Sequence, residues 1–518
     1  MSIVFDVSED EFVESVSPSK IVKLTAPLDI SGFSDAVKPL DVYSALRGNY
    51  SFLLESAEKE VSAFKQVSNG SGSERGARYS FVGFEPDAMV RVDDRTVDVR
   101  DLNGRDGLLD TNDSKVIDDS GHVKDGYDTL DALRSLFPDV EPVNFDDSDR
   151  QVFEGGFVGY LAYDVVYDIW IDREKETEDT VPDAEFVVST KNAVFDHDKD
   201  EVSLVFTPLV CEGDDRIEEY EPREASRFEV LDRRSGTKEV YEEGVDQTRQ
   251  HILDGDIYQA VLSRKREIDV KGDIRDFYSA LRELNPSPYM YLTEIDGFGV
   301  VGSSPETLVN VHDGRVSTNP IAGTCPRGET AVEDRRLAGE MLSDEKELCE
   351  HVMLVDLGRN DVRRVSESGT VRVDDFMSVV QYSHVQHMES VVSGDLREDK
   401  DAFDATRSVF PAGTLSGAPK IRAMEIIDDL EPEHRGVYGG GVGYYSWSGD
   451  MDFAIAIRTA TFEERADHQL ITVQAGAGIV ADSDPEREFH ETEDKMDALL
   501  AALDSLVEKE RETEVLVE

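Results

Sequence analysis

The chain has few cysteines and few basic residues, and each scarcity excludes a class of protein. Only 3 of its 518 residues are cysteine, and an odd number without a C-x-x-C pair indicates neither a disulfide framework nor a zinc knuckle. Lysine and arginine total 54, against 112 aspartate and glutamate residues. Because a protein that binds the nucleic-acid backbone needs clustered Lys and Arg, nucleic acid is not an expected partner.

Long apolar segments and a basic leader are also missing. No apolar run reaches about 18 residues, the length at which a membrane-spanning helix is considered. Residues 1–10 contain neither the basic region nor the apolar stretch of a secretory signal peptide. We therefore expect no membrane partner and a cytoplasmic location.

Negative charge, in contrast, is present in large excess. The formal net charge is −58, far beyond the modest charge that solubility requires. The acidic residues are spread along the whole chain, so their mutual repulsion would be poorly screened in dilute salt. This pattern indicates adaptation to a salt-rich cytoplasm. An apolar content of 39% argues for a folded protein.

Apolar runs separated by turn signals predict strands across residues 40–210. A polar, acidic stretch over 211–238 is the expected linker between an N-terminal region (1–210) and a catalytic region (239–508), which is followed by an acidic tail (509–518). Within the catalytic region we predict helices at 240–253, 333–362 and 485–507, and strands at 258–265, 289–295, 298–303, 440–447, 453–461 and 470–475. Strands that neighbour one another in sequence, with helices grouped between them, indicate an α+β fold with antiparallel sheets.

Two acidic helical segments, about 140 residues apart, each place carboxylates on one helix face. The first carries Glu347 and Glu350. The second starts at Asp484, with proline at the first helical position, and carries Glu488 and Glu491. Spacing alone leaves two interpretations open, a Mg²⁺ site between two helices or two solvated faces of a very acidic protein.

Seven sequence blocks, taken together, resemble the signatures of the chorismate-utilising enzymes, and within that family they are most similar to the members that form anthranilate. The blocks are 255–259 (GDIYQ), 286–290 (PSPYM), 304–306 (SPE), 320–324 (PIAGT), 350–361 (EHVMLVDLGRND), 410–420 (FPAGTLSGAPK) and 474–478 (QAGAG). The resemblance extends over about residues 40–507. It implies a large layered α/β/β/α sandwich with antiparallel sheets, a Mg²⁺-dependent lyase, and the first committed step of tryptophan biosynthesis.

The resemblance also implies which residues bind the metal and the substrate. Mg²⁺ is expected on Glu350 and Glu491, with Glu347 and Glu488 contacting it through water. The carboxylates of chorismate are expected to be held by side chains and backbone N–H groups of Gly323, Thr324, Tyr438, Arg458, Gly476, Ala477, Gly478 and Lys495. Lys495 has a second interpretation, as a partner of the glutamates on its own helix.

Catalytic roles follow from the same resemblance. Ammonia adds at ring C2 while the C4 hydroxyl leaves, and Glu306 is expected to protonate that leaving group. His387 is expected to assist the elimination of pyruvate, with His384 as a bystander. Gln259 stands where the water-using members carry a lysine base, and an amide suits ammonia as the nucleophile.

Alternatives within and outside the family remain open. Ala322 stands where members that form aminodeoxychorismate typically have a nucleophilic lysine, which favours anthranilate over that product. A non-enzymatic tryptophan or chorismate sensor would be expected to lack the metal and elimination residues. Cys325 departs from the family pattern, in which arginine is common after Gly-Thr.

Regulation and a partner subunit are implied as well. Ser56, at the end of a Leu-Leu-Glu-Ser element, is expected to bind the feedback inhibitor tryptophan together with Pro288, Tyr289 and Met290. The chain has no G-x-C-x-G elbow for hydrolysing glutamine. Ammonia is therefore expected from a separate glutamine amidotransferase subunit, in a hetero-oligomer.

Overall fold

The computed structural model describes residues 5–17, 19–28, 37–56, 61–62, 78–103, 109, 114–145, 151–171, 173, 181–209, 228–382 and 385–517. His384, Cys211 and most of the expected linker lie outside these residues. The helices are α1 (Glu9–Ser15), α2 (Pro39–Leu46), α3 (Thr129–Leu136), α4 (Val166–Ile169), α5 (Lys238–Asp254), α6 (Ile274–Leu284), α7 (Ala331–Met341), α8 (Glu345–Arg363), α9 (Ala402–Val409), α10 (Lys420–Leu430) and α11 (Pro485–Val517), with short 3₁₀ turns at Tyr163–Val165 and Gly413–Leu415.

The strands are, in chain order, β1 (Lys20–Val22), β2 (Leu24–Leu28), β3 (Tyr50–Glu55), β4 (Val61–Ser62), β5 (Tyr79–Gly83), β6 (Ala88–Asp93), β7 (Thr96–Asp101), β8 (Glu141–Val143), β9 (Gly156–Leu161), β10 (Ala184–Ser189), β11 (Lys191–Asp196), β12 (Glu201–Phe206), β13 (Glu229–Ser235), β14 (Gln259–Lys271), β15 (Tyr289–Ile295), β16 (Phe298–Ser304), β17 (Thr307–His312), β18 (Arg315–Thr318), β19 (Ile321–Pro326), β20 (Arg372–Gln381), β21 (Val385–Asp395), β22 (Gly417–Ala418), β23 (Gly441–Ser446), β24 (Met451–Ile455), β25 (Thr459–Glu464) and β26 (Gln469–Ile479).

Most strands belong to two antiparallel sheets of 12 strands each. Sheet I has the order β4-β20-β21-β18-β17-β24-β23-β9-β10-β6-β7, with β19 also paired to β21. Sheet II has the order β13-β14-β26-β25-β16-β15-β3-β5-β11-β12-β2, with β22 also paired to β14. Both sheets combine strands from residues 1–210 with strands from residues 239–508, so the two regions share one pair of sheets.

Apolar clusters show how the layers stack. Between the sheets, Tyr160 and Val442 of sheet I pack with Tyr291 and Val300 of sheet II. On the outer face of sheet II, α6 and α11 cover the strands through side chains such as Phe277 and Leu499. On the outer face of sheet I, α9 packs through Phe403 and Val409. The layered α/β/β/α sandwich and the α+β class expected from the sequence are confirmed.

Three local expectations differ from the structure. The closing helix predicted over 485–507 continues as α11 to Val517 and takes in most of the expected acidic tail, because glutamate, lysine, arginine and leucine all favour a helix. Residues 229–235, inside the expected linker, form β13 and pair with β14. This strand is mostly exposed and is held by backbone pairing and by ion pairs such as Arg234 with Asp269 (2.7 Å), which a search for apolar alternation does not detect.

The single strand predicted over 453–461 is two strands in different sheets. It divides because the chain crosses from β24 in sheet I to β25 in sheet II. Between them Arg458 adopts φ +49°, a left-handed conformation that interrupts strand geometry. Within the described part of the chain, no helix is both long and apolar enough to cross a membrane.

Candidate active site

Each acidic segment begins with an aspartate that caps the N-terminus of its helix. At the start of α8, the Asp344 side chain accepts hydrogen bonds from the backbone N–H groups of Lys346 and Glu347. At the start of α11, Asp484 Oδ1 accepts from the backbone N–H of Arg487 at 3.1 Å. An aspartate at this position satisfies N–H groups that the helix itself leaves unpaired.

Carboxylates of the two helices face one another across a gap. Burial raises the pKa of Glu347, and the charges of Glu350 on its own helix and Glu491 on α11 raise it further. Burial likewise raises the pKa of Glu488, to which the charge of Glu491 adds. Of the four glutamates expected at the metal, Glu347 thus interacts with Glu350 on its own helix and with Glu491 on the other, and Glu488 interacts with Glu491.

The donor set is incomplete for a metal held by protein side chains alone. Among the described residues, no three Asp, Glu, His or Cys side chains form a metal site by themselves. Mg²⁺ usually retains several waters and takes one or two protein carboxylates together with substrate oxygens. Two glutamates from facing helices, each with a second glutamate beside it, fit that pattern, and a divalent cation would offset their repulsion.

A glycine-lined strand forms the neighbouring wall. Gln259 on β14 donates from Nε2 to Glu350 Oε1 at 2.9 Å. A Cβ atom at Gly478 would lie 2.5 Å from that same Nε2, and one at Gly476 would lie 2.7 Å from the Leu262 carbonyl oxygen. A side chain at Gly476 would clash with backbone, and one at Gly478 would displace the Gln259 amide from its place beside Glu350.

Tyr438 and Lys495 meet at Gly476. Burial raises the pKa of Tyr438, while the charge of Arg435 and, less strongly, a hydrogen bond with the Gly476 backbone act in the opposite direction. Lys495 donates to the Gly476 carbonyl oxygen at 2.8 Å and also pairs with Glu491 Oε1 at 2.8 Å. The structure thus supports the pairing of Lys495 with its own helix and also places its ammonium group beside the glycine strand.

A bulge in β19 turns backbone groups toward His387. The register of β19 against β21 shifts between Ala322 and Thr324, and the extra residue, Gly323, has φ +75°. A Cβ atom at Gly323 would lie 3.4 Å from Glu347 Oε2. This glycine therefore connects the carboxylate gap to the histidine, and its left-handed backbone suits a bulge.

His387 is buried and neutral at neutral pH. Burial, assisted by the positive charge of Arg458, lowers the pKa of the imidazole to about 4. Its Nδ1 lies 2.9 Å from Thr324 Oγ1. Its buried Nε2 has no hydrogen-bond partner among the described residues, and a hydrogen bond with the Gly323 backbone opposes part of the fall in the pKa of the imidazole.

Glu306 is buried and protonated at neutral pH. Burial raises the pKa of its carboxyl group to about 8, while a hydrogen bond from Thr414 and the charge of Arg458 act in the opposite direction. Thr414 Oγ1 lies 3.0 Å from Glu306 Oε1. The charge of Arg458 acts on the pKa of both His387 and Glu306, so the three side chains lie within electrostatic range of one another.

Two residues that act on Glu306, Thr414 and Glu389, were not predicted from the sequence. Thr414 lies inside the block 410–420, but no role was given to it. The buried carboxylate of Glu389, which accepts a hydrogen bond from Asn319 at 2.5 Å, helps to raise the pKa of Glu306. Glu389 follows His387 by two residues on β21, and this spacing on one strand face was the available signal.

Cys325, where the sequence departs from the family pattern, is a packing residue in the structure. Its side chain is buried with Ala338 and Met341 of α7 and with Met388 of β21. Burial raises the pKa of its thiol. Gln386 Nε2 lies 3.8 Å from the sulfur atom.

The expected inhibitor element lies in sheet II. β3 and β15 are adjacent antiparallel strands, with Met290 opposite Glu55 and Leu292 opposite Leu53. Ser56 follows directly after β3, and Pro288 and Tyr289 stand at the start of β15. Two elements more than 200 residues apart in sequence are thus neighbours in the fold.

Comparisons with known proteins agree with this geometry. A family model described as chorismate binding enzyme matches residues 127–501. Anthranilate synthase component 1 of Haloarcula marismortui is 51% identical, covering 97% of this chain and 96% of its own, and the protein of that name from Haloferax volcanii is 52% identical, covering 96% and 97%.

Solved structures give the same picture. The crystal structure of anthranilate synthase component I from Streptococcus pneumoniae TIGR4 has a TM-score of 0.67 at 34% identity, covering 90% of this chain and 98% of that chain. The menaquinone-specific isochorismate synthase from Escherichia coli also has a TM-score of 0.67, at 17% identity, covering 94% and 95%. At that identity the second likeness shows the fold alone.

Proposed function

The chain belongs to the chorismate binding enzyme family, and on that premise we propose that it is the large subunit of an anthranilate synthase. It converts chorismate and ammonia to anthranilate, pyruvate and water, the first committed step of tryptophan biosynthesis. Two relatives that carry this name and share about half of its residues over nearly the full length support the proposal.

One contact supports ammonia, and not water, as the nucleophile. The amide of Gln259 donates to Glu350 at 2.9 Å, at the position where a lysine would serve as a base for water. An amide cannot accept a proton from water at neutral pH, so the site suits a nucleophile that arrives as ammonia. Ala322 likewise offers no amine for covalent attack on the ring.

Glu350 and Glu491 are proposed as direct ligands of Mg²⁺, with Glu347 and Glu488 holding its waters. The metal would supply positive charge for the substrate carboxylate in a strongly acidic protein. The backbone N–H groups of the glycine strand and the bulge, together with Arg458, orient the rest of the dianion.

Glu306 and His387 divide the proton transfers. As ammonia bonds to C2 and the C4–O bond breaks, the protonated Glu306 gives its proton to the departing hydroxyl, which leaves as water. The new ammonium group returns a proton to the Glu306 carboxylate. Afterwards His387 Nε2 takes the proton from C2, the C3–O bond breaks, and the side chain leaves as the enolate of pyruvate, which takes up a proton at its methylene carbon to give pyruvate. A neutral imidazole with an available nitrogen suits a proton acceptor.

A glutamine amidotransferase subunit, anthranilate synthase component II, is proposed as the source of ammonia. The component 1 names of the relatives support such a partner. Tryptophan is proposed as a feedback inhibitor that binds at the β3–β15 element. The haloarchaeal relatives and the net charge of −58 support adaptation to a salt-rich cytoplasm.

Product identification tests the proposed reaction. The protein is incubated with chorismate, Mg²⁺ and ammonium in high KCl, and products are separated by chromatography with fluorescence detection. We expect equal amounts of anthranilate and pyruvate. An aminated product without pyruvate would indicate an aminodeoxychorismate synthase, and binding of chorismate without turnover would indicate a sensor. Either result would contradict the proposal.

A further inference from the structure

Two buried carboxyl groups, those of Glu306 and Glu389, approach one residue of strand β19. The backbone N–H of Ile321 donates a hydrogen bond to the Glu306 carboxyl group. Ile321 is also the residue directly opposite Glu389 in the pairing of β19 with β21, and opposite residues of antiparallel strands lie about 5 Å apart at Cβ. Each glutamate is 6% exposed, so water screens little of the interaction between the two groups.

The two glutamates come from different parts of the chain and differ in their use. Glu306 lies between β16 and β17 and is the proposed proton donor. Glu389 lies on β21, two residues after His387, and side chains two apart on a strand point to the same face. Glu389 therefore shares a strand face with the proposed base, yet the proposed proton transfers give it no task.

Asn319 presents a hydrogen-bond donor to Glu389. Its Nδ2 donates to Glu389 Oε1 at 2.5 Å, and Asn319 is 3% exposed. Its Oδ1 is buried and has no hydrogen-bond partner among the described residues. An amide that offers its N–H group while its oxygen stays unpaired suits an ionised acceptor, because a protonated carboxyl group would donate to that oxygen. Asn319 therefore favours negative charge on Glu389.

Two neighbouring buried carboxyl groups do not readily ionise together, because like charges oppose each other and the pair titrates as a unit. The charge of Glu389 adds to burial in raising the pKa of Glu306. If Asn319 stabilises the ionised form of Glu389, the proton of the pair belongs on Glu306. This is the group that the proposed mechanism uses as an acid.

Other groups that face Glu306 act in the opposite direction. The hydrogen bonds from Thr414 and Ile321 lower its pKa, as does the charge of Arg458 from the connection between β24 and β25. His387, from β21, has a pKa of about 4 and is neutral at neutral pH. The negative charge of Glu389 thus offsets part of the effect of these donors and of the arginine.

We propose that Glu389, held in its ionised form by Asn319, is a positioning residue that keeps the transferable proton on Glu306 at neutral and mildly alkaline pH. This rests on the proposed function, in which Glu306 protonates the departing hydroxyl. Glu389 acts through Glu306, and Asn319 determines which of the two carboxyl groups holds the proton. Without the charge of Glu389, Glu306 loses its proton at lower pH, and activity on the alkaline side is lost first.

A purely structural role for Glu389 predicts a different result. Loss of its hydrogen bond with Asn319 would then disturb β21 and lower turnover by a similar factor at every pH. Loss of its charge instead moves the alkaline limb of the pH profile, which follows Glu306, and leaves the acid limb, which follows His387, in place. The position of the alkaline limb separates the two roles.

The experiment uses Glu389→Gln, Glu389→Asp and Asn319→Ala in high KCl. Anthranilate formation at saturating chorismate and Mg²⁺ is measured between about pH 5 and 9, with total ammonium adjusted so that free ammonia stays constant. Glu185→Gln is the matched control. Glu185 is 0% exposed and its carboxyl group also accepts a hydrogen bond, from Arg91 at 2.8 Å, but it lies on β10, six strands from β21 in sheet I.

A second measurement does not depend on turnover. The infrared absorption of protonated carboxyl groups is followed over the same pH range, and each spectrum is compared with that of the same protein carrying Glu306→Gln. The difference reports the proton on Glu306 in the parent and in each Glu389 or Asn319 variant.

Glu389→Gln should move the alkaline limb and the loss of the Glu306 infrared signal to lower pH by about 1 unit or more. Alkaline activity should then fall about 10-fold, while the maximum on the acid side stays within about 3-fold of the parent. Asn319→Ala should move both in the same direction by less, because it removes one hydrogen bond to the ionised form. Glu389→Asp keeps the charge and should lie closer to the parent, and the control should leave both unchanged.

An alkaline limb within about 0.3 unit of the parent in Glu389→Gln, or an equal loss of turnover at every pH, would overturn the proposal. If circular dichroism shows that Glu389→Gln does not fold, an unchanged limb in Asn319→Ala would overturn it in the same way. Failure of the proposed function gives a different result. A parent that forms no anthranilate, with a Glu306 infrared signal that still moves in Glu389→Gln, would overturn the reaction and support the charge effect.

Discussion

Replacing Glu306 by glutamine removes the proton of one buried carboxyl group and keeps its shape. The pKa of this group is raised from 4.5 to about 8 by burial, so it is protonated at pH 7 and can act as an acid. Loss of a positioned general acid typically lowers the rate by about 10²- to 10⁴-fold. We expect Glu306→Gln to lower kcat/KM for chorismate by that factor.

The same substitution should make the protein relatively more stable to unfolding as the pH rises. Since the folded state holds this proton more tightly than the unfolded state, its stabilising effect is complete below about pH 4.5 and is lost as the pH rises through about 8. In this interval the free energy of unfolding falls by about 1.4 kcal/mol per pH unit. Glutamine does not titrate, so the variant should lack this decline.

The assay compares the two proteins by urea unfolding in high KCl at several pH values between about 5.5 and 7.5. The difference in unfolding free energy should change by about 3 kcal/mol over these two units, in favour of the variant at high pH. The exposed Glu345→Gln is the control and should show no such change. Parallel pH profiles for parent and Glu306→Gln, or activity within 10-fold of the parent, would refute the role of a buried proton donor.

Three further predictions concern the metal site, the histidine and the charge. Glu350→Gln or Glu491→Gln should abolish Mg²⁺-dependent turnover while the fold is kept, because each removes a ligand from an open gap; near-normal rates at saturating Mg²⁺ would count against the assignment. His387→Ala should consume chorismate and accumulate the aminated, non-aromatic product, and normal anthranilate output by chromatography would contradict its role in elimination. The thermal midpoint should rise from 0.1 M to above 2 M KCl as the screening length shortens from about 10 Å to below about 3 Å, and a flat or falling midpoint would oppose salt adaptation.

Much of the fold was accessible from local sequence patterns. Tyr289–Ile295 was predicted with its observed bounds, because a run of β-branched and aromatic residues between Pro288 and the Asp296 turn is typical of a strand. The helix start at Asp484 was also accessible, because capping depends on residues near in sequence. The strand order of the sheets was not, since it depends on contacts between distant segments.

The break at Arg458 shows why some of the site was not predictable. Ala454 and Ala460 both read as buried strand residues, and no glycine or proline marks the change of sheet between them. The left-handed conformation of Arg458 is imposed by tertiary contacts, which overrule local propensity. Thr414 was missed for a similar reason, because its partner Glu306 lies 108 residues away.

The residue types at the site were predicted from the family resemblance, while their electrostatics required the fold. The sequence around these residues does not indicate that burial lowers the pKa of His387 to about 4 and raises that of Glu306 to about 8. Opposite shifts in two neighbouring groups are what an acid and a base working at the same pH require.

Chorismate binding to the Glu306→Gln variant, measured by titration calorimetry in high KCl with and without Mg²⁺, tests the central claim most directly, because this variant should bind without turnover. The account predicts measurable affinity with Mg²⁺ and at least about 10-fold weaker binding without it. It also predicts that adding Glu350→Gln removes the effect of Mg²⁺, while adding Glu345→Gln preserves it. Equal affinity with and without Mg²⁺ in the Glu306→Gln variant would contradict the account.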